Sequence, residues 1–328
     1  MNRRLVVAGS AIGVVLALGI GLTEAPGGGT VKTMTAAEFD AMHNAVKNWG
    51  RWGTADELGA LNLITDAKKK QAIALARTGT SVSLAHALLT VGTPDNQTPF
   101  KHTLAESMTS DTYESRYHGY ITSHIDTLCH ITYKGMVYPG VRQDTVLTPK
   151  GCTKMGIQTL KNGIITRGVL IDIPRLKGVP YLEPGTAVYP EDIEAWEKKA
   201  GVKVSAGDAI LLYTGRWARR AKVGPWDVPK AGVAGYHASV APWLKARDVA
   251  LVGSDGPQDV MPSGVQGQNV PVHVLLVNAM GVNLLDNQDL EAVAETAARL
   301  KRWEFMLMVA PLHVVQGTGS PVNALAVF

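Results

Sequence analysis

The chain has 328 residues, 46% of them hydrophobic, with 32 basic against 28 acidic side chains for a formal charge of +4. So apolar a chain can bury a sizeable core, which excludes disorder. The charges are dispersed, with no basic cluster interleaved with aromatics, which excludes a nucleic-acid surface and points to a small-molecule partner.

The first segment in chain order is Arg3 and Arg4 followed by an uncharged apolar run over 5–22. Residues 1–29, with a Gly-rich linker at their end, read as a targeting signal. An uncleaved membrane anchor is the competing reading, because the run is at the lower limit of a span. The paired arginines fit a twin-arginine signal, which would suit a protein loaded with metal before export. The expected location is exported, either periplasmic or secreted, or anchored to the membrane by this segment. Residues 30–328 then form one domain.

Residues 34–49 have helical spacing, with Thr35 as N-cap before Glu38. The block 48–53 breaks it; its Trp49 and Trp52 either wall a pocket for a planar substrate or anchor the N-terminal segment by packing. An amphipathic helix is predicted over 65–77. From Ser81 onward short β-type runs appear at 81–84, 168–173, 209–213 and 249–252, with helical candidates at 190–200 and 237–246 between them. Two of these runs are continuously apolar, as expected where both faces of a sheet are covered. The pattern predicts mixed α/β structure around a central sheet, without internal repeat or second domain.

The chemistry concentrates in 117–130. Residues two apart on a strand share a face, so His124 and Asp126 can present an imidazole and a carboxylate to one ion. His118 and His130 join them only if the strand runs on without a bulge, and His130 could equally face a substrate. The chain holds nine histidines, so three within thirteen residues beside an acid favour a site over scattered surface or capping groups. Tyr120 either hydrogen-bonds a substrate or fills the sheet. Further on, His273 opens an apolar run to Met280 and Asp286 follows the Gly281 turn; the two could reach the same ion from the other side. The plainer reading makes His273 an ordinary buried histidine and Asp286 a cap for a helix beginning near Leu290. Asp255 and Asp259 either line an entrance or serve Gly- and Pro-rich turns. The segment 317–320 lacks the Lys and helix of a phosphate loop and reads as a tight turn near the site. Cys129 and Cys152 are too few for a cysteine-based metal site, so any ion relies on His and carboxylate; a single bridge between them is compatible with export. His237 reads as structural, and His43, His86, His102 and His313 have no assigned role.

These residues resemble the cyclase-family metal hydrolases, the group of kynurenine formamidase and isatin hydrolase, whose hallmark is a His-x-Asp-x3-His core preceded by a further His. The core stands here as His124-Ile125-Asp126 and His130. The resemblance is to the longer branch of the family. It extends through 48–53, 253–256, 259–262 and 317–323, covering nearly everything after residue 45. It implies the single-domain swivelling β/β/α fold with a mixed central sheet, one or two divalent ions (zinc or manganese), and hydrolysis of a C–N bond by metal-activated water. The implied substrate is a formamide or cyclic amide of an aromatic compound, as for an arylformamidase. His124 and Asp126 resemble metal ligands, His130 the catalytic histidine, and His273 and Asp286 the distal ligands, where the formamidase has His and Glu. Four residues before His124 the formamidase has a ligand His. This chain has Tyr120 there, and His118 is the nearest substitute. Trp49, Trp52, Tyr120 and Asp255 are the candidate substrate contacts, and a homo-oligomer is the expected assembly. The alternatives are a lactone or ester hydrolase of the same family and an exported metal- or ligand-binding protein without catalysis. His130 separates them, since a binding protein needs no proton-transfer group beside its ion.

Overall fold

The computed structural model describes residues 31–328, and the expected targeting segment lies outside the described residues. Nine strands form one sheet: β1 (Ser81–Ser83), β2 (His124–Asp126), β3 (Ile164–Asp172), β4 (Ala209–Tyr213), β5 (Leu251–Ser254), β6 (Asn283–Asp286), β7 (Glu304–Val309), β8 (Gly319–Pro321) and β9 (Leu325–Val327). Their order across the sheet is β1-β9-β7-β3-β4-β5-β6-β2-β8. The four central strands β3 to β6 are mutually parallel, and the neighbours on both sides are antiparallel.

The central strands are apolar throughout because both faces are covered. Val169, Ile171, Ile210, Leu212, Val252 and Leu284 point into one core; Leu170, Leu211, Leu251 and Leu285 point into the other. This is the period of two working on a doubly buried sheet. The first core is closed by α1 (Ala36–Val46), α3 (Pro190–Ala200), α5 (Val240–Ala246) and the helical segment α6 (Pro271–His273), which continues as a π-helix over Val274–Met280. The second is closed by α7 (Glu291–Leu300) through Val293, Ala294 and Ala297. Two further helices, α2 (Asp66–Ile73) and α4 (Arg216–Val223), complete the main elements.

Thr35 caps α1 in a full capping box with Glu38, and Thr65 caps α2. Both helices are shorter than the periodicity predicts: Lys47 and Asn48 follow the first, while the second ends at Ile73 although the apolar Ala74-Leu75-Ala76 follows. Conversely, β3 reaches back to Ile164, four residues before the expected start. The condition under which His118 and His130 would share the strand face is not met: β2 is only His124–Asp126, and 115–123 is irregular. The strands β7 and β9, which the sequence reading did not place, add the outer antiparallel layer on one side; β8, the last strand beside β2 on the other, takes up 319–320, which the sequence reading makes part of a tight turn, because these residues pair with β2.

Candidate metal centre

Strand register brings the polar residues together. In the antiparallel pair β6/β2, Asp286 stands opposite His124 and Leu284 opposite Asp126. Leu284 points into the first core, so His124, Asp126 and Asp286 project from that same face, while Ile125 and Leu285 turn into the second core. The start of α6 lies over the same face and supplies His273. Its Nε2 is 3.2 Å from Asp286 Oδ2 and 3.8 Å from Asp126 Oδ2.

The tautomers follow from the outer partners. His124 Nδ1 lies 2.8 Å from the Thr122 carbonyl. A carbonyl can only accept, so Nδ1 carries a proton and Nε2 is the nitrogen turned to Asp126 Oδ1, at 3.4 Å. His273 Nδ1 likewise lies 2.5 Å from Asp259 Oδ2. Asp259 also accepts the backbone N–H of Val272 at 2.6 Å, so one carboxylate fixes both the ring and the first turn of its helix. Gln258 donates its side-chain amide to Asp286 Oδ1 at 2.9 Å, from a backbone held at φ 55°. Such a conformation in a non-glycine residue costs on the order of 1 kcal/mol and persists where the surroundings enforce it.

The second part of the group comes from irregular chain. His118 Nδ1 approaches Asp126 Oδ1 at 3.0 Å, and its Nε2 meets the Thr318 hydroxyl at 3.1 Å. His130 Nε2 is 3.9 Å from Asp126 Oδ2. The rings of His118 and His130 stack, 4.0 Å apart and 7° from parallel. His118 therefore reaches the site through a loop and not as an in-phase strand residue. Behind it, a side chain at Gly319 would place its Cβ 2.5 Å from the Ile125 carbonyl and 3.0 Å from the His118 ring. Among the described residues, two groups of three have the donor spacing for a metal ion: His118, Asp126 and His130, and His124, Asp126 and Asp286.

The donor set fits a divalent cation. Asp126 is 1% exposed, four imidazoles (His118, His124, His130 and His273) surround its carboxylate, and Oδ1 lies 3.0 Å from His118 Nδ1 and 3.4 Å from His124 Nε2 without satisfactory hydrogen-bond geometry to either. A buried carboxylate facing an imidazole lone pair is repulsive unless positive charge lies between them. Burial would raise the Asp126 pKa, but the His118 imidazole beside it and the neighbouring rings of His124 and His130 hold it well below the usual carboxylate range. Burial lowers His130 to about 4, so its imidazole is neutral at pH 7. His273 goes the other way: burial disfavours its charge, yet Asp286 and Asp259 hold its pKa well above the ordinary imidazole value. Without a metal, a proton takes the cation's place at this position.

The remaining candidates are placed as follows. The Tyr120 ring lines a cavity of about 220 Å³ together with Tyr117, His118 and Pro229, and a larger one of about 1140 Å³ with Pro229, Met261 and Val270. It therefore stands beside the site. Trp49 does not. It is half-buried, donates its indole N–H to the Asn278 carbonyl at 2.8 Å and packs so closely on Gly140 that a Cβ there would meet its ring at 2.5 Å. Trp52 packs against the first core under the Arg51 guanidinium. Both thus follow the packing reading.

Asp255 is fully buried and not at an entrance. It accepts the backbone N–H groups of Thr214, Gly215 and Arg216 and the Thr214 hydroxyl, and so caps the start of α4. Burial pushes its pKa up to about 6 despite these donors. Asp286 is the last residue of β6 and does not cap α7. Asp259, one of the two turn candidates, and Gln258, which the sequence reading passed over, hold the candidate ligands His273 and Asp286 in place. Thr318 does the same for His118.

No curated protein matches this sequence. A solved structure described as a novel cyclase superposes with a TM-score of 0.77 at 28% identity, covering 87% of this chain and 99% of that one. Isatin hydrolase A from Ralstonia solanacearum gives a TM-score of 0.54 at 20% identity, covering 78% of this chain and 95% of that one. Isatin hydrolase A from Labrenzia aggregata, bound to benzyl benzoate, gives 0.52 at 19%, covering 80% and 98%. These two share the fold. Residues 82–258, more than half of the sequence, match the Cyclase family model, and the chain therefore belongs to the cyclase family.

Proposed function

We propose that the protein is a metal-dependent hydrolase that cleaves a C–N bond in a formamide or cyclic amide of an aromatic compound. The observation that carries this reading is the convergence of His124, Asp126, His273 and Asp286, with imidazole lone pairs and carboxylate oxygens turned toward one another inside a buried face. These four residues would hold the ion, with His118 as a further donor. A divalent ion in such a set polarises a carbonyl and lowers the pKa of water to near ~7.

The chain's own residues do the rest. His130, neutral at pH 7 because its partial burial disfavours the charged form, takes the proton from the attacking water and returns it to the leaving nitrogen. His118, stacked on it, fixes the plane of its ring. The Tyr120 ring, beside the two cavities, bounds the space in which a planar acyl group lies. A non-catalytic binding protein has no use for a neutral imidazole at the open edge of the site, which favours the hydrolase. The Cys129–Cys152 disulfide supports an exported location, since such bridges persist in oxidising compartments.

The test is metal analysis of the purified full chain, followed by turnover of formanilide and of a fused-ring lactam with and without chelator. Stoichiometric metal and chelator-sensitive release of aniline support the reading. Hydrolysis of lactones or aryl esters alone would move it to the ester branch. A metal-loaded protein that turned over none of these would overturn it in favour of binding.

A further inference from the structure

Past Asp126 the chain leaves the sheet, and His130 sits at the end of a tight turn closed by its own N–H to the Thr127 carbonyl at 3.0 Å. Its neighbour Cys129 is bonded to Cys152, 23 positions on, and both cysteines are fully buried. Cys152 belongs to a small ribbon, Leu147–Thr148 with Gly151–Cys152, whose job is visible in its contacts. The Cys152 N–H donates to the Gln316 carbonyl at 2.9 Å, and a Cβ on Gly151 would stand 2.1 Å from that same oxygen. Nearby, Ile157 N–H donates to the Gly317 carbonyl at 2.8 Å, and Gln316 N–H donates to Gln158 Oε1 at 3.0 Å. The ribbon and the turn after it thus cradle 316–317. The next residue, Thr318, accepts from both the N–H and the hydroxyl of Thr127 at its carbonyl, and its hydroxyl meets His118.

These contacts close a ring: Thr127, Cys129, the disulfide, Cys152, Gln316, Thr318 and back to Thr127. His130 hangs from one side of the ring and His118 from the other, stacked face to face. We propose that the Cys129–Cys152 disulfide is a positioning element for catalysis, locking the turn that carries His130 to the segment that carries Thr318 and so holding the His118–His130 stack over Asp126. The cysteines make no hydrogen bond to the candidate ligands His273 and Asp286; Cys129 Sγ lies 3.2 Å from the Thr127 hydroxyl. Their effect is on rate through His130, not on ion binding. That His130 moves a proton rests on the hydrolase reading above; the mechanical coupling of the two segments does not.

The experiment compares the full chain with the Cys129→Ala/Cys152→Ala double variant, each with and without His130→Ala and each loaded with Mn²⁺. Hydrogen exchange measured by mass spectrometry needs no substrate. The expected result is faster exchange in 127–130 and in 316–318 together, with β5, β6 and the start of α6 unchanged and Mn²⁺ stoichiometry retained. With formanilide, kcat should fall about tenfold to 100-fold at unchanged KM, the size of effect that small misplacements of a reacting group produce. In the His130→Ala background, removing the disulfide should cost nothing more, since the coupling acts through that residue. A Cys129→Val/Cys152→Ala pair, which refills buried volume, must behave the same way and serves if the alanine pair does not fold. Faster exchange confined to 147–152, faster exchange spread into β5 and β6, or an equal loss of kcat without His130 would each overturn the proposal. If formanilide is not turned over at all, the exchange result alone decides.

Discussion

His273 and His130 lie almost equally far from Asp126, at 3.8 and 3.9 Å, yet they are held in opposite ways. His273 sits at the start of a helix, 7% exposed, with one nitrogen on Asp259 and the other on Asp286. His130 sits in a turn with 27% of its side chain exposed, kept in place by the ring of His118 and by the disulfide next to it. In the first environment both ring nitrogens have carboxylate partners and the ring is closed off from solvent; the second is more exposed and has fewer partners. On the proposed function, the contrast would separate holding an ion from handling protons and substrate, with the first task falling to regular structure and the second to loops.

Four experiments would break or sharpen that division. The largest effect is expected for Asp126→Ala, because Asp126 belongs to both groups. The variant should keep no stoichiometric metal after dialysis and show no detectable hydrolysis; a variant that still bound one equivalent tightly would place the ion elsewhere. His130→Ala should retain its metal while kcat falls ~100-fold to ~10,000-fold, the span that a lost proton-transfer group produces; loss of metal instead would make His130 a ligand. Asp259→Asn removes the charge that orients His273 and should weaken metal affinity about 10-fold to 100-fold, as other outer partners of ligand histidines do. Chelator competition measures it. An unchanged affinity would show that His273 needs no such support.

The smallest effect is that of pH on metal affinity. His273 is held protonated above its ordinary range: burial opposes this, and Asp286 and Asp259 enforce it. In the metal-free protein its contribution to stability is therefore complete below the unfolded imidazole value of ~6.5 and is lost as pH rises through the raised folded value. Ion binding needs the same proton to leave, so affinity should move the other way, climbing up to about tenfold per pH unit until His273 titrates. Mn²⁺ titrations between about pH 6 and pH 8 would give the slope, and a flat profile would mean that the ion does not displace this proton.

Much of the deep half was legible in the sequence. The spacing of two put His124 and Asp126 on one side of a strand, the apolar runs announced the covered sheet, and the position of His273 before an apolar stretch announced a helix start. What joins them was not legible. Asp259 and Gln258 look like turn residues beside Gly256 and Pro257, and only the left-handed backbone at Gln258 and the closeness of β5 to β6 turn them toward the ligands. Asp255 carries the same local signal as Asp259, yet it caps a helix whose N–H groups come from about forty residues earlier. The shallow half misled the strand reading because loop residues follow no period, so the reach of His118 to Asp126 could not be counted off. The strand β8, Gly-Ser-Pro, has no strand-like composition; Pro321 is tolerated because this is the sheet's edge.

That edge has one further consequence, at Gly319. Its α-carbon faces Asp126 across the pair β8/β2, and the space a methyl group would need is already occupied by a carbonyl oxygen and the His118 ring. In a saturation library screened for hydrolysis, position 319 should therefore return only the starting codon, while the half-exposed Pro321, two residues on and facing His124, accepts replacements. The selection would act on a residue that has no side chain to offer the reaction, and its message would be spatial: the outer rim of the sheet backs the His118 ring beside Asp126.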